Sequence, residues 1–367
     1  MVSERLSYLD AFRGLTIAAM ILVNNPGSWK FVYPPLRHAE WHGWTPTDFI
    51  FPFFLFIVGV SLALSLSRRR EQRVAPAEIY LKVFARALII FSLGLFLHLF
   101  PKFHPATMRI PGVLQRIAVC YLFGALIYLS ASKIPRLAII LALLAGYWLA
   151  MKFIPVPGYG AGVLDYHGNL AGHLDTKLLA GHLYRPEFDP EGLLSTIPAI
   201  ATVLLGTLAG DLLRTEKTLV RKAVVFFGYG AVLVALGLLL HPYFPINKQL
   251  WTSTYVLFTA GAALVILGLF VLMMEVFRAK AWAYPFLVLG SNAIAVFTAS
   301  TLVAKILIWI RVSAAGKTQT LYSWLYERAF ASWAGPMAGS LAFALGTVLL
   351  WTFILIPLYR HKVFIKV

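Results

Sequence analysis

Apolar residues in this chain gather in long blocks closed by charges, proline or a polar loop, and nowhere in the short alternating runs of a membrane barrel. A bilayer core about 30 Å thick takes roughly 20 apolar residues of helix. Ten blocks reach that length, at about 9–26, 47–66, 82–100, 111–130, 135–154, 192–213, 221–240, 250–274, 284–310 and 337–357. Backbone facing lipid must satisfy its own hydrogen bonds, so the blocks predict helices. The expected fold is an all-α integral membrane protein, with one polytopic domain over residues 1–367. The first block carries no small-residue cleavage site behind it and reads as a retained helix, not a removable leader. No internal repeat or low-complexity tract interrupts the series.

Composition agrees and narrows the class. Of 367 residues, 60% are hydrophobic and only 13% charged, where a soluble domain carries about 25% charged. The formal charge is nevertheless +17, from 32 Lys and Arg against 15 Asp and Glu. In a soluble protein such an excess points to nucleic acid; here it is read against a membrane, and no nucleic-acid partner is expected. A single cysteine, Cys120, excludes an internal disulfide and a Cys-based metal cluster, and its place deep in an apolar block reads as packing.

Lys and Arg collect on the cytoplasmic side of membrane proteins. With the N-terminus inside, nineteen of them fall on that side, from Arg5 to Lys366, and the run Arg68-Arg69-Arg70 is the strongest marker. Both termini are therefore expected in the cytoplasm, which for a bacterial chain means the inner membrane. Twelve basic residues remain outside, several beside the polar motifs described next. The loop at 155–191, rich in Gly, Pro, His and Asp, falls on the outer side and has the length of a lid or rim. Residues 318–334 set Leu321, Trp324, Leu325 and Phe330 against Glu327 and Arg328, the pattern of an amphipathic interfacial segment.

Ionisable groups at membrane depth are expensive and mark functional candidates. Asn24, Asp48, Gln115, Arg116 and Lys305 fall at one level near the outer face, under His38 and His42 of the first outer loop. A His beside a carboxylate is the usual general-base arrangement, and Asn or Gln can hold an oxyanion. Two plainer readings stay open from the residues alone: His38 as a structural loop histidine, and Asp48 with Arg116 as an intramembrane ion pair. Asp10 and Arg13 read as a helix-end pair. His167, His173 and His182 lack tight ligand spacing, so no metal is expected.

The strings Leu9-Asp10-Ala11-Phe12-Arg13-Gly14, Val23-Asn24 and His38-Ala39-Glu40-Trp41-His42-Gly43-Trp44-Thr45-Pro46-Thr47-Asp48 resemble the opening of the heparan-α-glucosaminide N-acetyltransferase family. The resemblance is nearer still to its bacterial NagX-type members. It continues through Arg109-Ile110-Pro111-Gly112-Val113-Leu114-Gln115-Arg116, Asp189-Pro190-Glu191-Gly192, Ile246-Asn247-Lys248-Gln249-Leu250-Trp251 and Ser291-Asn292. It implies transfer of an acetyl group from cytoplasmic acetyl-CoA, as co-substrate, to an amino sugar on the far side, with His38, Asn24 and Asp48 matching the family's active-site positions. The donor would thread a polar cleft, with its phosphates near Arg13, Lys82 or Arg86 and its anionic groups met by Arg116. Arg109, Gln115, Asn247, Trp251 and Asn292 are the candidates for holding the acceptor. The family's human-type members carry a lumenal domain and a first span with no counterpart here, so a free hexosamine or small glycan is the expected acceptor. A homodimer is left open. The rival readings are an N-acetylglucosamine permease without chemistry and a polysaccharide O-acyltransferase.

Overall fold

The computed structural model describes residues 6–314 and 317–365. Arg5 and Lys366, counted above toward the inner side, lie outside the described residues. The chain is helical almost throughout: α1 Ser7–Asn24, α2 Ile50–Glu71, α3 Pro76–Leu99, α4 Val113–Ser130, α5 Lys133–Phe153, α6 Leu170–Leu179, α7 Thr196–Leu213, α8 Leu219–Leu240, α9 Ser253–Val271, α10 Tyr284–Ser291, α11 Ala293–Trp309, α12 Leu321–Tyr326 and α13 Ser332–Arg360. One short hairpin, Arg311–Ala314 against Lys317–Thr320, joins α11 to α12 with Arg311 opposite Thr320.

Among the described residues, eight helical segments are long and apolar enough to cross a membrane, or nine if a bent pair counts as one span. Ten were expected, and α1 accounts for the difference. Its 18 residues include Asp10 and Arg13 and end on Asn24, so its apolar stretch falls short. The 284–310 block is not one straight helix either. It breaks at Asn292, where Ala281–Ser291 and Ala293–Trp309 meet at 74°.

Glycines set the closest helix pairs. A Cβ on Gly59 would lie 1.9 Å from the Val203 carbonyl oxygen, and one on Gly206 would lie 2.1 Å from that of Phe56. α2 and α7 therefore meet backbone to backbone, as small residues allow in membrane bundles. Gly14 and Gly290 do the same for α1 and α10, with 1.7 Å to the Phe286 oxygen and 1.9 Å to that of Asp10. Arg13 donates to Asp10 at 2.8 Å and to Ser61 Oγ at 2.7 Å, tying α1 to α2. These contacts fix the two helices whose far ends carry Asn24 and Asp48.

The long 155–191 loop is folded, not loose. Val156, Leu170 and Phe188 are buried with Tyr147, Met151, Phe244 and Leu250 in a small core of their own. The 318–334 segment forms α12 and the turn into α13; Tyr322 donates to the Pro26 carbonyl at 2.8 Å and, with Phe330, packs on Phe343.

Candidate active site

The site begins with the turn that starts α2. Thr45 precedes Pro46-Thr47-Asp48-Phe49, a single turn of tighter helix leading into Ile50. Proline at the first position needs no amide hydrogen there, and an acidic side chain at the third can reach back to the free amide of the capping residue. Asp48 does so: its Oδ2 accepts from Thr45 N at 2.9 Å, from Thr45 Oγ1 at 3.1 Å and from Ala39 N at 3.1 Å. Its other oxygen, Oδ1, lies 2.6 Å from His38 Nδ1. Asp48 is 1% exposed while the His38 side chain is 41% exposed. A carboxylate only accepts, so Nδ1 carries the proton and Nε2 presents its lone pair outward. From below, Tyr255 donates to the Asp48 backbone carbonyl at 2.5 Å.

His38 lines a cavity of about 950 Å³, together with Asn24, Trp29, Trp41, Arg109, Tyr166, Tyr184, Glu191, Lys248 and Lys305. It also lines a second cavity of about 290 Å³ that includes Trp29, Arg37 and Thr47. Asn24, the last residue of α1, is exposed at the wall of the larger cavity. Met20, Ile21 and Phe297 also line this cavity, and Met20 and Phe297 border a further void of about 10 Å³ lined by Ile17, Phe54, Ile117 and Ile294. Lys305, from α11, donates to the carbonyls of Leu97 and Phe100 at 2.6 and 3.1 Å, occupying the last acceptors of α3.

Two charged supports flank the histidine. Lys248 Nζ stands 3.2 Å from His38 Nε2. Burial lowers the Lys248 pKa, opposed by the charges of Glu191 and Asp48. Arg109 grips Asp189 through two bonds, at 2.9 and 2.6 Å, and reaches Glu191 at 2.5 Å, with its guanidinium over the Tyr184 ring at 4.8 Å. Burial works against the Arg109 charge, but Asp189 and Glu191 outweigh it and raise its pKa. Burial would push Glu191 up, yet Arg109, Arg116 and Lys248 hold its carboxyl below the usual range. Next to this cluster Asp175 is wholly buried: Oδ1 accepts from Leu193 N at 2.8 Å, Oδ2 has no partner, and burial pushes its pKa up to about 7.

The structure gathers only part of the sequence-derived set around the cavity. His38, Asp48, Asn24 and Arg109 come together, with Lys305 at the wall. Asp48 meets His38 and not Arg116, which is 2% exposed, hydrogen-bonds Gly192 O at 3.0 Å and Ser195, and lies 5.1 Å over the Trp251 ring. Trp251 itself is fully buried and donates to Thr202 Oγ1 at 3.2 Å. Gln115 is buried beside His98. Asn247 is buried in its own turn, where it meets His42 at 3.2 Å and accepts from Leu250 N at 2.8 Å. Asn292 sits at the α10–α11 break and bonds the backbone of Val363 and Ile365 at 3.2 and 2.7 Å. Lys82 pairs with Glu78 on the exposed first turns of α3, and Arg86 lies 5.1 Å over Tyr121. Arg13 is engaged with Asp10 and Ser61. None of these eight residues is among those lining the 950 Å³ cavity. Lys248 and Glu191 are the residues that the reading by depth passed over. Among the described residues, no cluster of three His, Cys, Asp or Glu side chains stands ready for a metal ion.

The model of the family described as heparan-alpha-glucosaminide N-acetyltransferase, catalytic, matches residues 5–237, more than half of the chain. The chain belongs to this family. Two curated members are heparan-alpha-glucosaminide N-acetyltransferase of Homo sapiens, 30% identical over 286 residues, and of Mus musculus, 29% identical over 284. These matches cover 63% and 64% of this chain but 43% of either relative, so the chain spans less than half the length of the curated relatives it matches. Within the acetyltransferase family match lie Asn24, His38, Asp48, Arg109 and Glu191; Lys248 and the α11 wall lie beyond it.

Proposed function

We propose that the chain is a transmembrane acetyltransferase that moves an acetyl group from acetyl-CoA to the amine of a glucosamine-type sugar. In this reading the His38 end of the bundle faces the periplasm, the Arg68-Arg69-Arg70 end faces the cytoplasm, and the membrane is a bacterial inner membrane. One observation carries it: the imidazole held at 2.6 Å by a buried carboxylate, with its other nitrogen on the side of a 950 Å³ cavity beside Lys248. Family membership and the activity for which the two mammalian relatives are named support the same chemistry.

The residues divide the work as follows. Asp48 accepts the hydrogen bond from Nδ1–H, which leaves the Nε2 lone pair to act as the base, and its charge stabilises the imidazolium once formed. His38 Nε2 takes the proton of the acceptor amine as its nitrogen attacks the thioester carbonyl, displacing Lys248 from that position. Asn24 donates to the carbonyl oxygen as negative charge develops there. The C–N bond forms, the C–S bond breaks, and His38 returns the proton to the leaving sulfur. Trp29, Trp41, Tyr166 and Tyr184 offer ring faces for a sugar, and Arg109 with Glu191 holds that wall in place.

Purified protein mixed with acetyl-CoA and a panel of amino sugars is expected to give an N-acetylated hexosamine by mass spectrometry, and His38→Ala is expected to give none. Sugar uptake into proteoliposomes without acetyl-CoA would instead make the chain a permease. Product from a hydroxyl-only acceptor would make it an O-acyltransferase.

A further inference from the structure

Lys248 brings a primary amine into the cavity beside the base. Its Nζ is 3.2 Å from His38 Nε2 and 3.4 Å from Nδ1, over the imidazole face, so a small swing of the lysine side chain brings it to the Nε2 edge, within reach of a general base. The loop that presents it is pinned: Asn247 N donates to Thr252 Oγ1 at 3.0 Å, Asn247 Oδ1 accepts from Leu250 N at 2.8 Å, and the Thr252 hydroxyl donates to Pro245 O at 2.8 Å. The turn therefore fixes the backbone from which the lysine side chain reaches the base. Burial eases loss of the ammonium proton.

We propose that Lys248 is a self-acetylation site, which takes the acetyl group from an acetyl thioester when no sugar acceptor occupies the position beside His38. The proposal rests on reading the cavity as an acetyltransferase centre. Neutral Nζ attacks the thioester carbonyl; the N–C bond forms and the C–S bond breaks. The proton leaving the nitrogen passes to His38 Nε2 and then to the released thiolate. The product amide is neither charged nor nucleophilic, so it no longer competes as an amine, and its acetyl group fills the space over Nε2. Acetylation of Lys248 would thus act as a brake that bound acceptor prevents.

The test uses the full chain in detergent with acetyl-CoA alone, followed by peptide mass mapping. Lys248 is expected to gain an acetyl group at least tenfold faster than exposed Lys133 and Lys177, which report non-enzymatic acetylation. Saturating glucosamine is expected to suppress the Lys248 signal and leave the other two unchanged. His38→Ala is expected to reduce Lys248 to their level, and the glucosamine protection gives the same answer without any substitution. If the protein acetylates glucosamine while Lys248 labels no faster than Lys133 and Lys177, the proposal is overturned and the acetyltransferase reading stands. If neither glucosamine nor Lys248 is acetylated, both fail.

Discussion

Asp48 holds His38 with one carboxylate oxygen and the first turn of α2 with the other, so the base is oriented by the same group that starts the helix. Replacing Asp48 with Asn keeps an oxygen for the Thr45 amide but removes the charge behind the imidazole. Turnover is expected to fall by about 10²–10⁴-fold, the usual size of general-base assistance. The thermal midpoint is expected to stay near that of the parent. Activity within a few fold of the parent would remove Asp48 from the mechanism.

Gly59 and Gly206 leave no space for a side chain between α2 and α7. Gly59→Val is expected to destabilise the protein in detergent by about 3 kcal/mol or more, the upper range of overpacking, because the obstacle is backbone. Gly228, with no heavy atom within 4 Å of a built Cβ, serves as the comparison. Gly228→Ala should be neutral or stabilising by up to about 1 kcal/mol, as helix propensity dictates. Equal midpoints for the two variants would contradict the backbone contact.

Arg109 is the shared cation of Asp189 and Glu191, both buried. Arg109→Ala strands two carboxylates, at a cost of about 3–5 kcal/mol for breaking such a group from one side. Limited proteolysis is expected to cut near residues 181–191 in the variant and not in the parent. Glu191, whose carboxyl Arg109 holds below the usual range, protonates as the pH falls, so the gap in thermal midpoint between variant and parent is expected to narrow in acid. A gap that widens there would mean that charge is not the cause.

Asp175 gives a pH signature with the opposite sign to most acidic residues. Its folded-state pKa of about 7 stands above the unfolded value, which is about 3.9. Between these values the folded chain holds a proton that the unfolded chain has lost, so stability is greatest below the unfolded value and declines as pH rises through about 7. The span corresponds to about 4 kcal/mol at most. Asp175→Asn preserves the bond from Leu193 N and is expected to flatten the curve of thermal midpoint against pH. An unchanged slope in that variant would assign the pH dependence elsewhere.

Much of the helical frame was legible because lipid demands long apolar runs, and the family strings made His38, Asn24 and Asp48 conspicuous. A further local signal was present in Thr45-Pro46-Thr47-Asp48, a capping sequence ahead of an apolar run. What depth along a helix does not convey is facing. Gln115 and Arg116 share the level of the site yet turn into the core, Gln115 toward His98 and Arg116 toward Gly192 and Ser195, and Trp251 is buried against Thr202. Asn292 looked like a polar residue inside a span, and its use is to bind backbone at a break. Lys248 stands 210 positions from His38 in the chain, a separation that no local pattern bridges.

The break at Asn292 makes α11 a lever. Its pivot is stitched to Val363 and Ile365, and its arm carries Phe297 and Lys305 along the cavity. Seventeen residues of helix extend about 25 Å, so a turn of about 5° at the pivot carries the far end by roughly 2 Å. The Asn292 side chain thus fastens the tail backbone to the pivot end of the same helix that lines the chamber beside His38.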